Sequence, residues 1–325
     1  MGSLFEVKDL KTYFMIDRQE IKAVDGVTFS LDRNETLAIV GESGSGKSVT
    51  ALSAMRLIKP PGKTVNGEIL LDGKDLLRLS EKQMTMIRGN RISMVYQEPM
   101  TSLNPVISVG EQIREAITLH KHSSKRESRE RAVEMMNLVG IPEARLRYNE
   151  LPTKFSGGMR QRIMIAMAIA CDPDLLIADE PTTALDVTIQ AEIMELLRSM
   201  KNKLRMSMIL ITHDLGLVAE NADRVLVMYC GKIMEDTSVA SLFRNPMHPY
   251  TVGLMQCIPS IDTKVSKLNA IPGYVPHPSQ YPTGCRFSSR CSRAMDICGK
   301  ELPELVEIEE GHRVRCWLYS KGGEA

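Results

Sequence analysis

The segment Gly41-Glu42-Ser43-Gly44-Ser45-Gly46-Lys47-Ser48 fits the pattern G-x-x-x-x-G-K-[ST]. In that pattern backbone N–H groups wrap phosphates, the lysine reaches the β and γ oxygens, and the final hydroxyl binds Mg²⁺. Average residue usage would produce it by chance in a chain of this size only about 1% of the time. Its surroundings sharpen the reading. Thr36-Leu37-Ala38-Ile39-Val40 reads as a buried strand entering the loop, and residues 49–57 read as a helix leaving it. Gly41, Ser43, Gly44, Ser45, Gly46, Lys47, Ser48 and Val49 are therefore expected around a nucleotide, with Ser48 also on the metal.

Outward from the loop, residues 21–40 alternate apolar and polar positions and predict strands. Asn66-Gly67 and Asp72-Gly73 flank the short apolar run 68–71, a hairpin-like signal of an antiparallel edge. A mostly helical middle begins near Val109. Within it, residues 120–131 mix Lys, Arg, Ser and Glu, and mixed charge predicts a solvated helix or loop rather than an anion site. Helices at 161–170 and 189–200 then alternate with apolar strands at 175–178 and 208–212, which implies a largely parallel sheet.

Two further elements carry chemistry. Leu175-Leu176-Ile177-Ala178-Asp179-Glu180 places paired carboxylates at the end of a buried strand, where a parallel sheet opens to its ligand. Asp179 suits the Mg²⁺ shell, and Glu180 can orient and deprotonate a water for in-line attack on a γ-phosphate. Phe155-Ser156-Gly157-Gly158-Met159-Arg160-Gln161-Arg162 is a Ser-Gly-Gly turn opening a helix, a second anion cradle. One nucleotide does not need two cradles. The second is expected to close on a nucleotide held by the P-loop of another subunit.

Bulk properties narrow the class. The chain has 325 residues with 43% hydrophobic composition, enough for a substantial core. Its 41 basic and 40 acidic residues nearly cancel, so no global field favours nucleic acid or an anionic membrane surface. The start, Met1-Gly2-Ser3-Leu4-Phe5-Glu6, has no basic region followed by an apolar run, and no later stretch reaches the length of a membrane span. The expectation is a cytoplasmic protein that meets a membrane only through partners.

The order of Gly41 to Ser48, Gln97, Ser156-Gly157-Gly158, Asp179-Glu180, Ala184-Leu185-Asp186 and His213 resembles an ABC ATPase over roughly residues 4–245. The fold class implied is α/β, an ABC-type nucleotide-binding domain with a P-loop core sheet, an antiparallel β subdomain and a helical subdomain at about 98–170. The resemblance implies ATP and Mg²⁺ as ligands. It makes Gln97 a residue that touches Mg²⁺ or the attacking water and faces the permease, and His213 a γ-phosphate contact. It places Asp186 in the loop linking two sites across a dimer. An aromatic residue near the N-terminus stacks on adenine in this family, and both Tyr13 and Phe14 qualify. Lys47, Gln97, Glu180 and His213 are the catalytic set so implied. Phe155 and Met159 depart from the commonest signature, yet Phe-Ser-Gly-Gly-Met-Arg-Gln-Arg resembles a version common in peptide-importer ATPases.

From Asn245 the character changes, with prolines at 246, 249, 259, 272, 276, 278 and 282 breaking any long periodicity. A small irregular extension over 246–325 is expected. Cys171, Cys230 and Cys257 are scattered, the first two in or beside apolar runs that suit buried inert thiols, but Cys285, Cys291, Cys298 and Cys316 sit together. Four thiolates suit zinc or an iron–sulfur cluster. Structural zinc sites usually show closer C-x2-4-C pairs, so the spacing favours a cluster, and a reducing compartment disfavours disulfides. His248, His277 and His312 are rival ligands, though single histidines among prolines are usually loop residues.

Asn245-Pro246-Met247-His248-Pro249-Tyr250-Thr251, Ile271-Pro272-Gly273, Gly284-Cys285-Arg286-Phe287 and Arg290-Cys291 resemble the C-terminal extension of oligopeptide and dipeptide importer ATPases. Some of those bind a [4Fe–4S] cluster through four cysteines. The resemblance implies two separate transmembrane permease subunits, a second ATPase subunit, identical or related, and an extracytoplasmic solute-binding protein, with the chain peripheral on the cytoplasmic side of the membrane. Importers of nickel or sugars share close relatives of this cassette. ABC-type ATPases of DNA repair, chromosome organisation or translation fit less well, because this chain shows one P-loop, one signature and no long coiled-coil insertion.

Overall fold

The computed structural model describes residues 2–96, 102–183, 185–257 and 271–319. Gln97 and Ala184, both named above, lie outside the described residues. The strands within them are β1 (Phe5–Ile16), β2 (Gln19–Leu31), β3 (Thr36–Val40), β4 (Gly62–Leu71), β5 (Lys74–Asp75), β6 (Ile92–Val95), β7 (Leu175–Asp179), β8 (Ser207–Ile211), β9 (Arg224–Tyr229), β10 (Lys232–Ser238), β11 (Val306–Glu309) and β12 (His312–Val314). The chain divides into two compact units, one drawn from residues 1–31, 35–77 and 212–325, the other from 32–34 and 78–211.

In the first unit β1 pairs antiparallel with β2 and β4, and β5 closes the order β2-β1-β4-β5. Phe5, Val7, Leu10 and Thr12 of β1 are buried. The spacing changes between Val7 and Leu10 because the register shifts there and Asp9 adopts φ 43, a bulge that adds one residue to the strand. Asn66-Gly67 is not the hairpin turn its composition suggests. It lies inside β4 opposite the bulge, where a Cβ on Gly67 would sit 2.7 Å from Leu10 Cα. Asp72-Gly73 does turn the chain, from β4 into β5.

Every residue of β3 is buried, as a strand covered on both faces requires, and β3 runs parallel to β9. A tight turn at Cys230-Gly231 then returns the chain as β10, which pairs with β12, and β12 with β11. The C-terminal region thus supplies strands as well as irregular segments. It also supplies core: Tyr229 packs against Tyr250 at 4.7 Å and Phe287 at 5.3 Å between ring centroids, with Cys285 and Cys298 in the same cluster. Aromatic pairs of this kind add about 1 kcal/mol each beyond the area they bury.

In the second unit β6, β7 and β8 form a parallel ladder, Ile92 opposite Leu175 and Leu175 opposite Ser207. Helices Val109–His120, Lys125–Leu138 and Gly157–Ile169 belong to this unit. The mixed-charge run becomes the start of Lys125–Leu138, capped by Ser124 and Glu127, while Ala132, Val133, Met135 and Met136 face inward. It is a solvated helix face, as its charge pattern predicts.

Candidate nucleotide site

The phosphate loop is built where β3 ends. Gly41 has φ 150, and a Cβ there would meet Met228 O at 2.1 Å; Gly46 has φ 101, and its Cβ would meet Ala23 O at 2.5 Å. Only glycine fits these two positions. Gly231 N–H donates to Ser45 O at 2.8 Å, and Ser45 N–H to Glu42 O at 3.2 Å, which fixes the loop's curvature. The helix Lys47–Ala54 starts immediately after Gly46. Lys47 is buried to 6% exposure and donates from Nζ to Gly41 O at 2.7 Å and Glu42 O at 3.1 Å. Ser43 and Gly44 are exposed at the tip, with nothing within 4 Å of a Cβ on Gly44. The Ser45 hydroxyl is buried without a hydrogen-bond partner. A cradle open at its tip, lined by backbone N–H groups and carrying a lysine, is suited to phosphate oxygens.

Tyr13 and Phe14 occupy successive positions of β1 and so point to opposite faces. The Phe14 ring is close to Gly62, where an added Cβ would lie 2.5 Å from Cε1. Tyr13 instead donates its hydroxyl to Asp25 Oδ1 at 2.7 Å, and Asp25 N–H donates to Gly231 O at 3.0 Å. Tyr13 is therefore tied to the turn that also holds Ser45. His213 is exposed just beyond β8, before the helix Leu215–Asn221, whose first N–H groups are capped by Asp214.

In the second unit Asp179 closes β7 and is buried to 6% exposure. Glu180 follows in the left-handed region at φ 46, its N–H on Ile211 O at 2.9 Å and its Oε2 accepting from Thr183 Oγ1 at 2.9 Å. A non-glycine residue there costs about 1–3 kcal/mol, and such strain clusters at functional positions. Ser156 caps the helix Gly157–Ile169 by accepting from Met159 N–H, and Ser156 and Gly157 are exposed. A Cβ on Gly158 would press to 2.8 Å from Ile189 Cγ2, so this glycine also serves helix packing. Asp186 is the N-cap of Val187–Leu204 through Ile189 N–H at 3.0 Å, a structural duty that the sequence pattern does not announce. Gln161, whose role no local pattern marks, is buried to 1% exposure, donates to Pro181 O at 2.6 Å and links the Ser-Gly-Gly helix to the carboxylate turn. Asp179 offers a carboxylate oxygen in this unit and Ser48 a hydroxyl oxygen in the first, each a hard donor of the kind Mg²⁺ takes.

Burial pushes the thiols of Cys285 and Cys316 up to about 11, and the nearness of the other cysteines adds to this: Cys285 is affected by Cys298 and Cys291, Cys316 by all three. Backbone N–H groups of Arg293 and Met295 lie 3.4 Å from the sulfurs of Cys291 and Cys298. Yet among the described residues no group of three or more His, Cys, Asp or Glu is set to hold a metal ion. Neither the expected iron–sulfur cluster nor its zinc alternative therefore has a formed ligand set among the described residues. Each rival histidine uses one ring nitrogen elsewhere, while His248 Nε2 and His312 Nδ1 are buried without a hydrogen-bond partner. Burial holds His248 down to about 3, and its Nδ1 accepts from Tyr250 N–H; His312 bonds Glu235 at 2.8 Å; His277 pairs with Ser279.

Loop, lysine and following helix together define a P-loop nucleotide-binding protein. Residues 24–183 match the family described as ABC transporter, and residues 234–298 the one described as oligopeptide/dipeptide transporter, C-terminal region. The chain is 53% identical over 324 residues to the oligopeptide transport ATP-binding protein AppD of Bacillus subtilis (strain 168), covering 99% of each. It is 52% identical over 317 residues to OppD of the same organism, covering 97% of this chain and 88% of that one. Among solved structures it is similar to the dimeric post-hydrolysis state of the ATP-binding cassette MJ0796 bound to ADP and Pi. That likeness has 26% identity and a TM-score of 0.65, and covers 72% of this chain and 98% of the other. The chain belongs to the ABC transporter ATP-binding proteins of the oligopeptide/dipeptide family, which are ATP-hydrolysing transport enzymes.

Proposed function

We propose that this chain hydrolyses ATP to drive uptake of di- or oligopeptides through two separate permease subunits, peripheral on the cytoplasmic face of the membrane. The observation that carries the reading is the presence, in one chain, of the P-loop cassette and the oligopeptide/dipeptide C-terminal region. Among the described residues no helix is long and apolar enough to cross a membrane, which fits a division of labour with permease chains. A second ATPase subunit, identical or related, and an extracytoplasmic solute-binding protein complete the assembly.

Each residue has a stated task. The P-loop N–H groups and Lys47 hold the β and γ phosphates, and Ser48 and Asp179 would supply oxygens to Mg²⁺, which when bound would neutralise charge on the phosphates. Tyr13 or Phe14, on opposite faces of β1, stacks on adenine. Glu180 orients a water and takes its proton as the water oxygen bonds to the γ phosphorus and the bond to ADP breaks. His213 contacts the γ-phosphate, and Gln97 senses the metal or water and passes closure to the permease. Ser156, Gly157 and Gly158 receive the nucleotide held by the other ATPase subunit, with Asp186 linking the two sites. Binding closes the pair and hydrolysis releases it.

Deleting the chain from its host should abolish uptake of labelled di- and oligopeptides, restored by the wild-type gene and not by Lys47→Ala. Normal peptide entry with loss of nickel or sugar uptake would replace the substrate and leave the ATPase intact.

For the cysteines, we infer a [4Fe–4S] cluster held by Cys285, Cys291, Cys298 and Cys316. What supports it is the clustering of four cysteines near the end of the chain and the N–H groups of Arg293 and Met295 3.4 Å from two of the sulfurs, since such hydrogen bonds tune cluster potentials. Protein purified without oxygen should contain iron and acid-labile sulfide in matching amounts, both lost in Cys285→Ser. Zinc, or no metal under those conditions, would discard the cluster.

A further inference from the structure

The P-loop is gripped from behind by the C-terminal segment of the same chain. Arg290 Nη1 and Nη2 meet the two carboxylate oxygens of Glu42, the second residue of the loop, at 2.6 and 3.1 Å. The guanidinium is otherwise spent on Tyr229 Oη at 3.3 Å, Pro272 O at 2.9 Å and Ile271 O at 3.3 Å, and its side chain is only 5% exposed. Glu42 N–H donates to Tyr250 Oη at 2.9 Å, and Tyr250 is itself fully buried. Glu42 is thus fixed at both backbone and side chain by residues more than two hundred positions away.

Arg286 makes a second grip. It donates to Cys230 O and to Asp25, its side chain 6% exposed and its guanidinium 4.6 Å from the Tyr281 ring centroid. Cys230 precedes Gly231, whose N–H holds Ser45 O, and Asp25 is the acceptor of the Tyr13 hydroxyl and a partner of Lys232 at 3.1 Å. One arginine therefore reaches Glu42, and the other reaches the support of Ser45 and Tyr13.

We propose that Arg286 and Arg290 are positioning residues that hold the P-loop ready for phosphate, so that nucleotide affinity depends on the C-terminal segment. The proposal rests on the reading that this loop binds ATP. A loop whose N–H groups already point inward binds without an ordering cost, and freeing it weakens binding without touching the bond-breaking step. The forked pair of a buried Arg290 with a partly exposed Glu42 is suited to this: planar guanidinium and carboxylate fix orientation as well as distance. Arg286 follows Cys285 and Arg290 precedes Cys291, so whatever fixes those two cysteines also fixes the grip.

The test uses the full-length chain, a fluorescent ATP analogue and steady-state ATPase assays. Arg290→Gln should raise the nucleotide Kd and the KM for ATP about 10-fold while kcat changes less than about 2-fold. Glu42→Gln should behave alike, and the double variant should be no worse than either single, because both act through one pair. A merely structural role would lower the unfolding midpoint and leave this split and this non-additivity unseen. Should Arg290→Gln not fold, Arg290→Lys, which keeps the charge and loses the fork, provides the same readout. Wild-type binding with unchanged Kd in these variants would overturn the grip alone; failure of the wild type to bind ATP would overturn the nucleotide reading with it.

Discussion

Glu180→Gln should bind ATP as tightly as the wild type and lose about 10²–10⁴-fold of its turnover, the range a general base supplies. The amide keeps the volume of the carboxylate and still accepts from Thr183 Oγ1, and the backbone N–H on Ile211 O is untouched. The left-handed φ of 46 is retained too, so stability should change by less than about 1 kcal/mol. What disappears is the ability to take a proton from water. If Glu180 acts as the proposed base, removing its negative charge also lessens repulsion of the bound phosphates. With hydrolysis blocked, the ATP-bound pair should accumulate as a dimer in gel filtration with MgATP and dissociate when ATP is omitted. Unchanged turnover would take Glu180 out of the reaction and pass the base to another group.

How far the residues alone lead depends on the length scale of each feature. The P-loop and the β7 carboxylates are legible because a local pattern suffices: an apolar run of strand length, then glycines, or then two acids. β1 was not legible as a strand, since the bulge at Asp9 breaks the two-residue period between Val7 and Leu10. Asn66-Gly67 misleads for the complementary reason, because the same bulge demands a glycine in the middle of β4. The C-terminal region reads as irregular from its prolines, yet Val314 pairs with Glu235 and Phe287 packs on Tyr229. Those partners lie tens of residues apart, beyond any periodicity. Glu42 fills a position that the loop pattern leaves open to any residue, so its bond to Arg290 carries no local signal at all. Arg286 and Arg290 carry one local mark, their position next to Cys285 and Cys291.

Gly46→Ala is expected to damage the chain's nucleotide loop severely, and Gly44→Ala is its control. At Gly46 a Cβ would stand 2.5 Å from the carbonyl oxygen of Ala23 and 3.4 Å from Gly231 Cα, both main chain. Neither can step aside without moving the turn that holds Ser45 O, and φ 101 is a conformation that L residues rarely adopt. Strain and displacement together should cost about 3 kcal/mol of stability. Because Gly46 leads directly into Lys47, the displaced backbone should also weaken ATP binding by about 100-fold, as a small misplacement of an oriented donor set does. At Gly44 nothing lies within 4 Å, and only the left-handed φ of 77 is paid, about 1–2 kcal/mol with the cradle left standing. Chemical unfolding and nucleotide titration on both variants separate clash from torsion. If Gly46→Ala and Gly44→Ala proved alike in both measurements, the close approach to Ala23 would not be what makes glycine necessary at Gly46.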